Sequence, residues 1–196
     1  MSATTSASTT PDATPRTNGV DTHEFANVIG TIESDPTLGQ CHFRARNRWV
    51  DGALNRVEIQ GFYAAGQEDA SREAPFVLHN DEPPLLLGEN RGPNPVEYLL
   101  TGLSGCMTTT LVYYAAMMGV KLETVESELE GDIDLQGLLD LDGDVRPGYR
   151  NIRVTFRIES DAPRAKLEEL VEIARNFSPV SDTIRNPVDV SVRLAE

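Results

Sequence analysis

The chain has 196 residues, two cysteines and a formal net charge of −14, enough length for one domain with a sizeable core. The negative balance argues against non-specific binding to nucleic acid or to acidic membranes, so neither is expected as a partner. Two cysteines make no disulfide framework, and the start carries no basic region followed by an apolar stretch, so the expectation is a cytoplasmic protein with reduced thiols.

Residues 1–21 open with MSATTSASTTPDATPRTNGV, rich in Ser, Thr, Ala and Pro and nearly devoid of large apolar groups. Such a segment buries too little surface to offset its ordering entropy, and it is expected to be a disordered tail. Residues 22–196 are expected to form a single domain. From His23 to Gly61 the chain reads as strands. Gln40 to Val50 is rich in strand formers, with Arg44, Arg46 and Arg48 on one face. Asp51-Gly52 is a two-residue hairpin signal, and Leu54 to Phe62 is the returning strand. Ala64 to Arg72 reads as a polar loop, Pro75 to His79 as a short third strand, and Glu82 to Pro93 as a connector.

The stretch from Asn94 to Gly119, NPVEYLLTGLSGCMTTTLVYYAAMMG, reads as one long helix. Asn94 suits the N-cap, Pro95 the first helical position, Glu97 the capping box and Gly119 the left-handed C-terminal cap. Apolar residues fall on nearly every side, and Glu97 is the one charge between Pro95 and Val120. A helix of this kind is expected to be buried on most sides, as the central helix of its domain. Tyr, Thr, Ser and Gly interrupt it too often for a membrane span, and it has no basic flank.

Beyond Gly119 the pattern changes period. Val125, Leu129, Ile133 and Leu135 alternate with acidic residues. Ile152, Val154, Phe156 and Ile158 alternate with Arg153, Thr155 and Arg157. Both are half-buried strands, and the acidic wet face of one suits the basic wet face of the other, which favours antiparallel pairing. Ala162 to Phe177 is an amphipathic helix with Phe177 among its inward residues, Ser178-Pro179 opens a second short helix, and Pro187 to Leu194 reads as a last strand with its valines and Leu194 inward. The order of elements predicts an α+β fold with antiparallel sheets.

Cys106, in the middle of the central helix, is the first candidate for chemistry. It is either a small buried hydrophobe or a reactive thiol. Gly102, Ser104 and Gly105 leave room for another backbone or a ligand. Cys106 lies too deep in the helix for the N-terminal dipole to stabilise a thiolate, so reactivity requires a nearby cation, and Arg44, Arg46 and Arg48 are the candidates. Glu97 also has a plain role as a capping residue. Cys41 reads as a structural cysteine. The three histidines are not at metal-ligand spacing, and Asp140 to Asp144 departs from a calcium loop, so no metal or cofactor is expected.

The run NPVEYLLTGLSGC, the apolar helix it opens, two alternating strands, a helix and then SPVSDTIRNPVDV together resemble the OsmC/Ohr family, from about residue 22 to the C-terminus. The resemblance implies an intertwined homodimer, with antiparallel sheets wrapped around two long central helices. In the family's peroxidases a cysteine of the central helix is the peroxidatic thiolate, activated by an Arg and a Glu, and a second cysteine resolves the sulfenic acid. By this resemblance Cys106 matches the peroxidatic position and Ser178 the resolving position, where serine forms no disulfide. The Glu position falls on Val96, with Glu97 next to it. The Arg position falls on Val50, with Arg48 and Arg46 nearest. The resemblance thus implies a one-cysteine, thiol-dependent organic hydroperoxide reductase in oxidative-stress defence, using an external thiol reductant. The alternative is a non-catalytic dimer of the same fold that binds a small apolar molecule.

Overall fold

The computed structural model describes residues 16–186 and 188–195. Most of the tail expected at residues 1–21 lies outside them. Its last residues form a small hairpin, β1 (Arg16–Thr17) and β2 (Val20–Asp21), turning through Asn18 and Gly19. Asn18 ties this hairpin to the far side of the chain, donating from Nδ2 to the Val120 carbonyl and accepting from the Leu122 N–H, both at 2.9 Å.

The strands expected from His23 onward are corrected at once, because the next element is a helix, α1 (Thr22–Ser34). The signal is in the sequence. Asp21 caps it by accepting from the Glu24 N–H at 2.9 Å, and Phe25, Val28, Ile29 and Ile32 recur at helical spacing. Phe25 packs against Tyr113, ring centroids 5.0 Å apart. The strand expected from Gln40 begins only at Arg46.

β3 (Arg46–Asp51) and β4 (Leu54–Ile59) form the hairpin predicted at Asp51-Gly52, where Gly52 supplies the positive φ. The expected polar loop holds a second small hairpin, β5 (Phe62–Ala64) and β6 (Gln67–Asp69). β7 (Phe76–Asn80) then joins β4, giving the antiparallel order β3-β4-β7. The register sorts this sheet into two faces. Arg46, Arg48, Arg56, Glu58, Val77 and His79 share one; Trp49, Val57, Ile59, Phe76 and Leu78 share the other.

Residues 81–93 deliver the chain to the central helix around one buried carboxylate. Asp81 accepts from the backbone N–H groups of Glu82, Glu89 and Arg91 and from Arg91 Nε. The helix itself, α2 (Pro95–Met117), begins and ends as its sequence dictates. Asn94 Oδ1 accepts from the Val96 N–H at 2.9 Å while Glu97 reaches back to the Asn94 N–H at 2.8 Å. At the other end Gly119 takes φ +68°, and the N–H groups of Gly119 and Val120 bond to the carbonyls of Ala116 and Ala115, closing a Schellman motif.

β8 (Thr124–Asp132) is followed by a short helix, α3 (Leu135–Leu138), and then β9 (Asn151–Glu159). The two strands pair antiparallel with Glu126 opposite Arg157 and Glu130 opposite Arg153, as the alternating charges predicted. Arg157 bonds Glu128 at 2.7 Å, and Arg153 bonds Asp132 at 2.5 Å and Glu130 at 3.2 Å. α4 (Arg164–Phe177) and α5 (Pro179–Arg185) close the described elements. The core lies between α2, α4 and the β8–β9 pair. Leu103, Met107, Leu111 and Ala115 form a stripe along α2 that meets Leu170 and Ala174 of α4.

Three expectations about burial are corrected. α2 is buried along this one stripe rather than on most sides; Leu99, Tyr113 and Met117 stay 41%, 41% and 42% exposed. Phe177, expected inward, lies at the surface, stacked on Tyr114. The last strand is absent: residues 188–195 carry no strand, Pro187 lies outside the described residues, and Val192 and Leu194 are 89% and 97% exposed. An alternating segment becomes a strand only against a sheet edge that takes up its backbone groups, and within one chain this segment has none. No helix among the described residues is long and apolar enough to cross a membrane.

Candidate functional site

Helix geometry decides what Cys106 can meet. At 100° per residue, Cys106 shares a stripe with Leu99, Gly102, Thr109, Tyr113 and Met117, turned away from the stripe that faces α4. The cysteine is half-buried, and its neighbours on the stripe are exposed. A Cβ added at Gly102 or Gly105 would meet nothing within 4 Å, so the surface beside the thiol is open. The hydroxyls around it are already committed to the helix: Thr110 Oγ1 donates to the Cys106 carbonyl at 2.9 Å and Ser104 Oγ to the Thr101 carbonyl at 2.9 Å. They satisfy themselves locally and supply no donor to the sulfur.

Glu97 stands nine residues before Cys106, about 14 Å up the axis and half a turn round. Its carboxylate is engaged in the capping box. Within one chain the two side chains therefore do not meet. Arg46 and Arg48 project from the charged face of β3, both exposed, and neither forms an ion pair among the described residues. Arg48 lies opposite Arg56, which pairs with Glu58. Ser178 is fully buried; as N-cap of α5, its Oγ accepts from the Ser181 N–H at 3.3 Å. Cys41, read as a structural cysteine, is exposed, with its Sγ 3.8 Å from the Gly39 carbonyl. A single chain thus puts the thiol, the carboxylate and the arginines in separate places. Among the described residues no group of His, Cys, Asp and Glu could hold a metal ion.

Two residues that shape the approach to α2 escaped the sequence reading. Asp81 is one. The N–H groups that converge on it, Arg91's foremost, hold its carboxyl down to about 2. The neighbouring Glu82 goes the other way, raised by burial and by the Asp81 charge, while Asn94 Nδ2 donates to it. The Asp-Glu-Pro-Pro run marks a turn, but nothing in it announces a buried acid. The other is Tyr149, whose hydroxyl donates to the Val96 carbonyl at 3.0 Å and whose ring lies against Gly131, where a Cβ would not fit. Burial raises its pKa.

An α+β chain built on a doubly capped central helix, with one half-buried thiol on that helix's open stripe, defines the class: a cysteine-bearing central-helix fold. The chain belongs to the OsmC family, whose description is OsmC-like protein and whose family model matches residues 88–193. It is 31% identical over 104 residues to the organic hydroperoxide resistance protein OhrB of Bacillus subtilis (strain 168), covering 53% of this chain and 70% of that one. Its fold is similar to that of an OsmC-like protein from Mycoplasma pneumoniae, with a TM-score of 0.56 and 15% identity over 74% of this chain and 88% of that one. It is similar too to an organic hydroperoxide resistance protein OsmC from Legionella pneumophila, with a TM-score of 0.51 and 20% identity over 75% of this chain and 91% of that one.

Proposed function

We propose that this chain is a one-cysteine, thiol-dependent organic hydroperoxide reductase that works as a cytoplasmic homodimer, with residues 22–196 as its single domain. The observation that carries the reading is the position of Cys106, half-buried on the open stripe of a helix that the family model covers. The similarity to OhrB supports the substrate class. The uncovered surface supports the dimer: Tyr113 and Met117 on the Cys106 stripe, Trp49 and Phe76 on the first sheet, and Val188, Val190, Val192 and Leu194 are all exposed apolar side chains. A second copy laid along the stripe brings another chain's Arg46, Arg48 and Glu97 to the thiol, as one chain alone does not.

In this reading the Cys106 thiolate attacks the distal oxygen of the hydroperoxide. An S–O bond forms, the O–O bond breaks, and the departing alkoxide takes a proton and leaves as the alcohol. Sulfur is oxidised to the sulfenic acid while the peroxide is reduced. Ser178 offers no internal thiol, so an external one condenses with the sulfenic acid, releasing water and leaving a mixed disulfide. A second external thiol then frees Cys106 and departs as the oxidised disulfide. An arginine beside the sulfur favours the thiolate and stabilises the charge passing to the leaving oxygen.

A second reading, a non-catalytic dimer that binds a small apolar molecule, is favoured by the serine at 178. Turnover of cumene hydroperoxide with dithiothreitol or a dihydrolipoyl donor separates the two. Wild type is expected to turn over while Cys106→Ser falls to background. Equal rates for the two proteins would leave the binding reading in possession.

A further inference from the structure

A second opening lies beside α2, lined by Leu103 and Met107 of its core stripe and by Leu99, which also belongs to the Cys106 stripe. Two cavities, of about 340 and 490 Å³, share Ile152, Ile184 and Arg185 as walls and run together between α2, β9 and α5. The smaller is apolar in its depth, floored by Leu103, Met107, Val154 and Phe156. The larger forms the mouth, where Arg146, Arg150 and Arg185 converge, and Arg175 stands at the rim of the smaller. This concentration of cations is set in a chain of net charge −14. Leu103 and Met107 lie about 60° and 100° round the helix from Cys106, and Cys106 does not line either cavity.

The polar groups of this trough leave one kind of ligand head to be recognised. The hydroxyls are spent: Ser181 Oγ donates to the Arg175 carbonyl and Thr183 Oγ1 to the Pro179 carbonyl, both at 2.8 Å, and Tyr149 to Val96. Two guanidiniums are already paired, Arg150 with Asp134 at 2.5 Å and Arg175 with Glu172 at 3.3 Å. Arg146 has no ion-pair partner among the described residues. Arg185 engages only Nη1, on the Arg175 carbonyl and Asn176 Oδ1. Besides the Asn151 amide, the free donors at the mouth are cationic, and the space behind them is mostly hydrocarbon, with Glu172 at its rim paired to Arg175.

The mouth is also built before any ligand arrives. A Cβ on Gly137 would stand 2.5 Å from the Arg146 carbonyl oxygen, so α3 sits directly on the backbone that presents Arg146. The Arg150 N–H bonds to the Asp132 carbonyl at 2.8 Å, and Tyr149 fastens the same stretch to α2. Preorganised donors lose little on binding.

We propose that this trough is a binding site for an alkyl carboxylate of roughly ten carbons, a size suited to a cavity of this class. The carboxylate lies between Arg146 and Arg185, and the tail runs over Met107 and Phe156. The site is separate from the thiol and does not depend on the peroxidase reading. Calorimetric titration of the full chain with decanoate tests it, with 1-decanol as the tail without charge and acetate as the charge without tail. Decanoate is expected to saturate at one per chain, with both controls weaker by about tenfold or more. Arg146→Gln, on an exposed side chain without an ion pair among the described residues, is expected to weaken decanoate several-fold, and the Arg146→Gln/Arg185→Gln pair by about tenfold or more. Cys106→Ser is expected to leave the titration unchanged. No binding of decanoate, equal affinity for decanol, indifference to both arginine variants, or loss in Cys106→Ser each overturns the proposal.

Discussion

The two halves of this molecule are held together by different forces. From α2 onward the chain closes a hydrocarbon core of its own: Leu103, Met107, Leu111, Ala115, Val120, Leu170 and Ala174 are all buried, and all come from that half. Before α2 the fully buried side chain is a carboxylate, Asp81, while Trp49 and Phe76 on the apolar face of the first sheet remain 65% and 60% exposed. One half builds a hydrocarbon core internally, while its Cys106 stripe and segment 188–194 stay exposed. The other has the strand pattern for it, but its apolar face is only partly covered among the described residues: Val57, Ile59 and Leu78 are half-buried, and over Phe76 stands the Arg72 guanidinium. A sheet gains stability when its apolar face packs against another layer, so in the proposed homodimer this face is where a second copy is expected to contribute most.

The strongest way to break the comparison is to damage the self-sufficient half. Leu111 is fully buried between α2 and α4, and Leu111→Ala removes its packing and leaves a cavity. Urea unfolding is expected to show a loss of about 2–5 kcal/mol. A loss well under 1 kcal/mol would mean that the stability of the molecule resides elsewhere.

The open half is expected to respond to concentration instead. Trp49 is the only tryptophan, so its emission reports on the first sheet alone. At concentrations where two chains associate the emission is expected to lie to the blue, and to move red on dilution in step with sedimentation. Trp49→Ala is expected to weaken association by about 2 kcal/mol, the range of an interfacial aromatic anchor. Emission that stays red at every concentration would leave that face in water and remove the case for a partner there.

A smaller effect follows from Asp81. Its folded pKa lies below the unfolded value, so the stability it contributes is present above about pH 4 and is lost as pH falls toward about 2. Asp81→Asn is expected to flatten that acid limb and to speed amide exchange at Glu89 and Arg91, whose N–H groups the carboxylate accepts. An unchanged limb would assign the acid sensitivity to other carboxylates.

How much of this is legible in the sequence follows how local each signal is, in both halves. In the second half the caps and alternations are local and legible, whereas the burial of α2, the place of Phe177 and the last strand depend on distant partners. Caps at Asn94 and Gly119, alternation in β8 and β9 and the Ser178-Pro179 start each depend on a few neighbouring residues, and each is found where expected, except that β8 stops at Asp132, short of Ile133 and Leu135, and Leu135 opens α3. In the first half α1 stands where strands are expected: Phe25, Val28, Ile29 and Ile32 are β-formers, but their spacing is helical. Segment 188–194 alternates as a strand does, but strand formation is a property of a pair, and the sequence of one member does not say where the other is. The candidate site has the same character. Cys106 was legible as a central-helix cysteine; whether Arg46, Arg48 and Glu97 reach it is a question of assembly, which spacing along one chain does not encode.

The finest test of the divide uses the two ends of α2. Asn94→Ala and Gly119→Ala are each expected to cost about 1 kcal/mol, the first by removing the N-cap and its capping box, the second by forcing a Cβ onto a residue at φ +68°. Their reach differs. Asn94 also donates to Glu82, so it ties the helix to the loop that Asp81 organises. Gly119 is exposed at the far end of the helix, next to the buried Val120, and nothing stands within 4 Å of where its Cβ would be. Hydrogen exchange is therefore expected to rise across residues 81–93 in Asn94→Ala and to stay at the wild-type level there in Gly119→Ala, although the two variants lose similar global stability. If both variants loosen that loop equally, the halves unfold as one cooperative unit, and the contrast between them lies in packing alone.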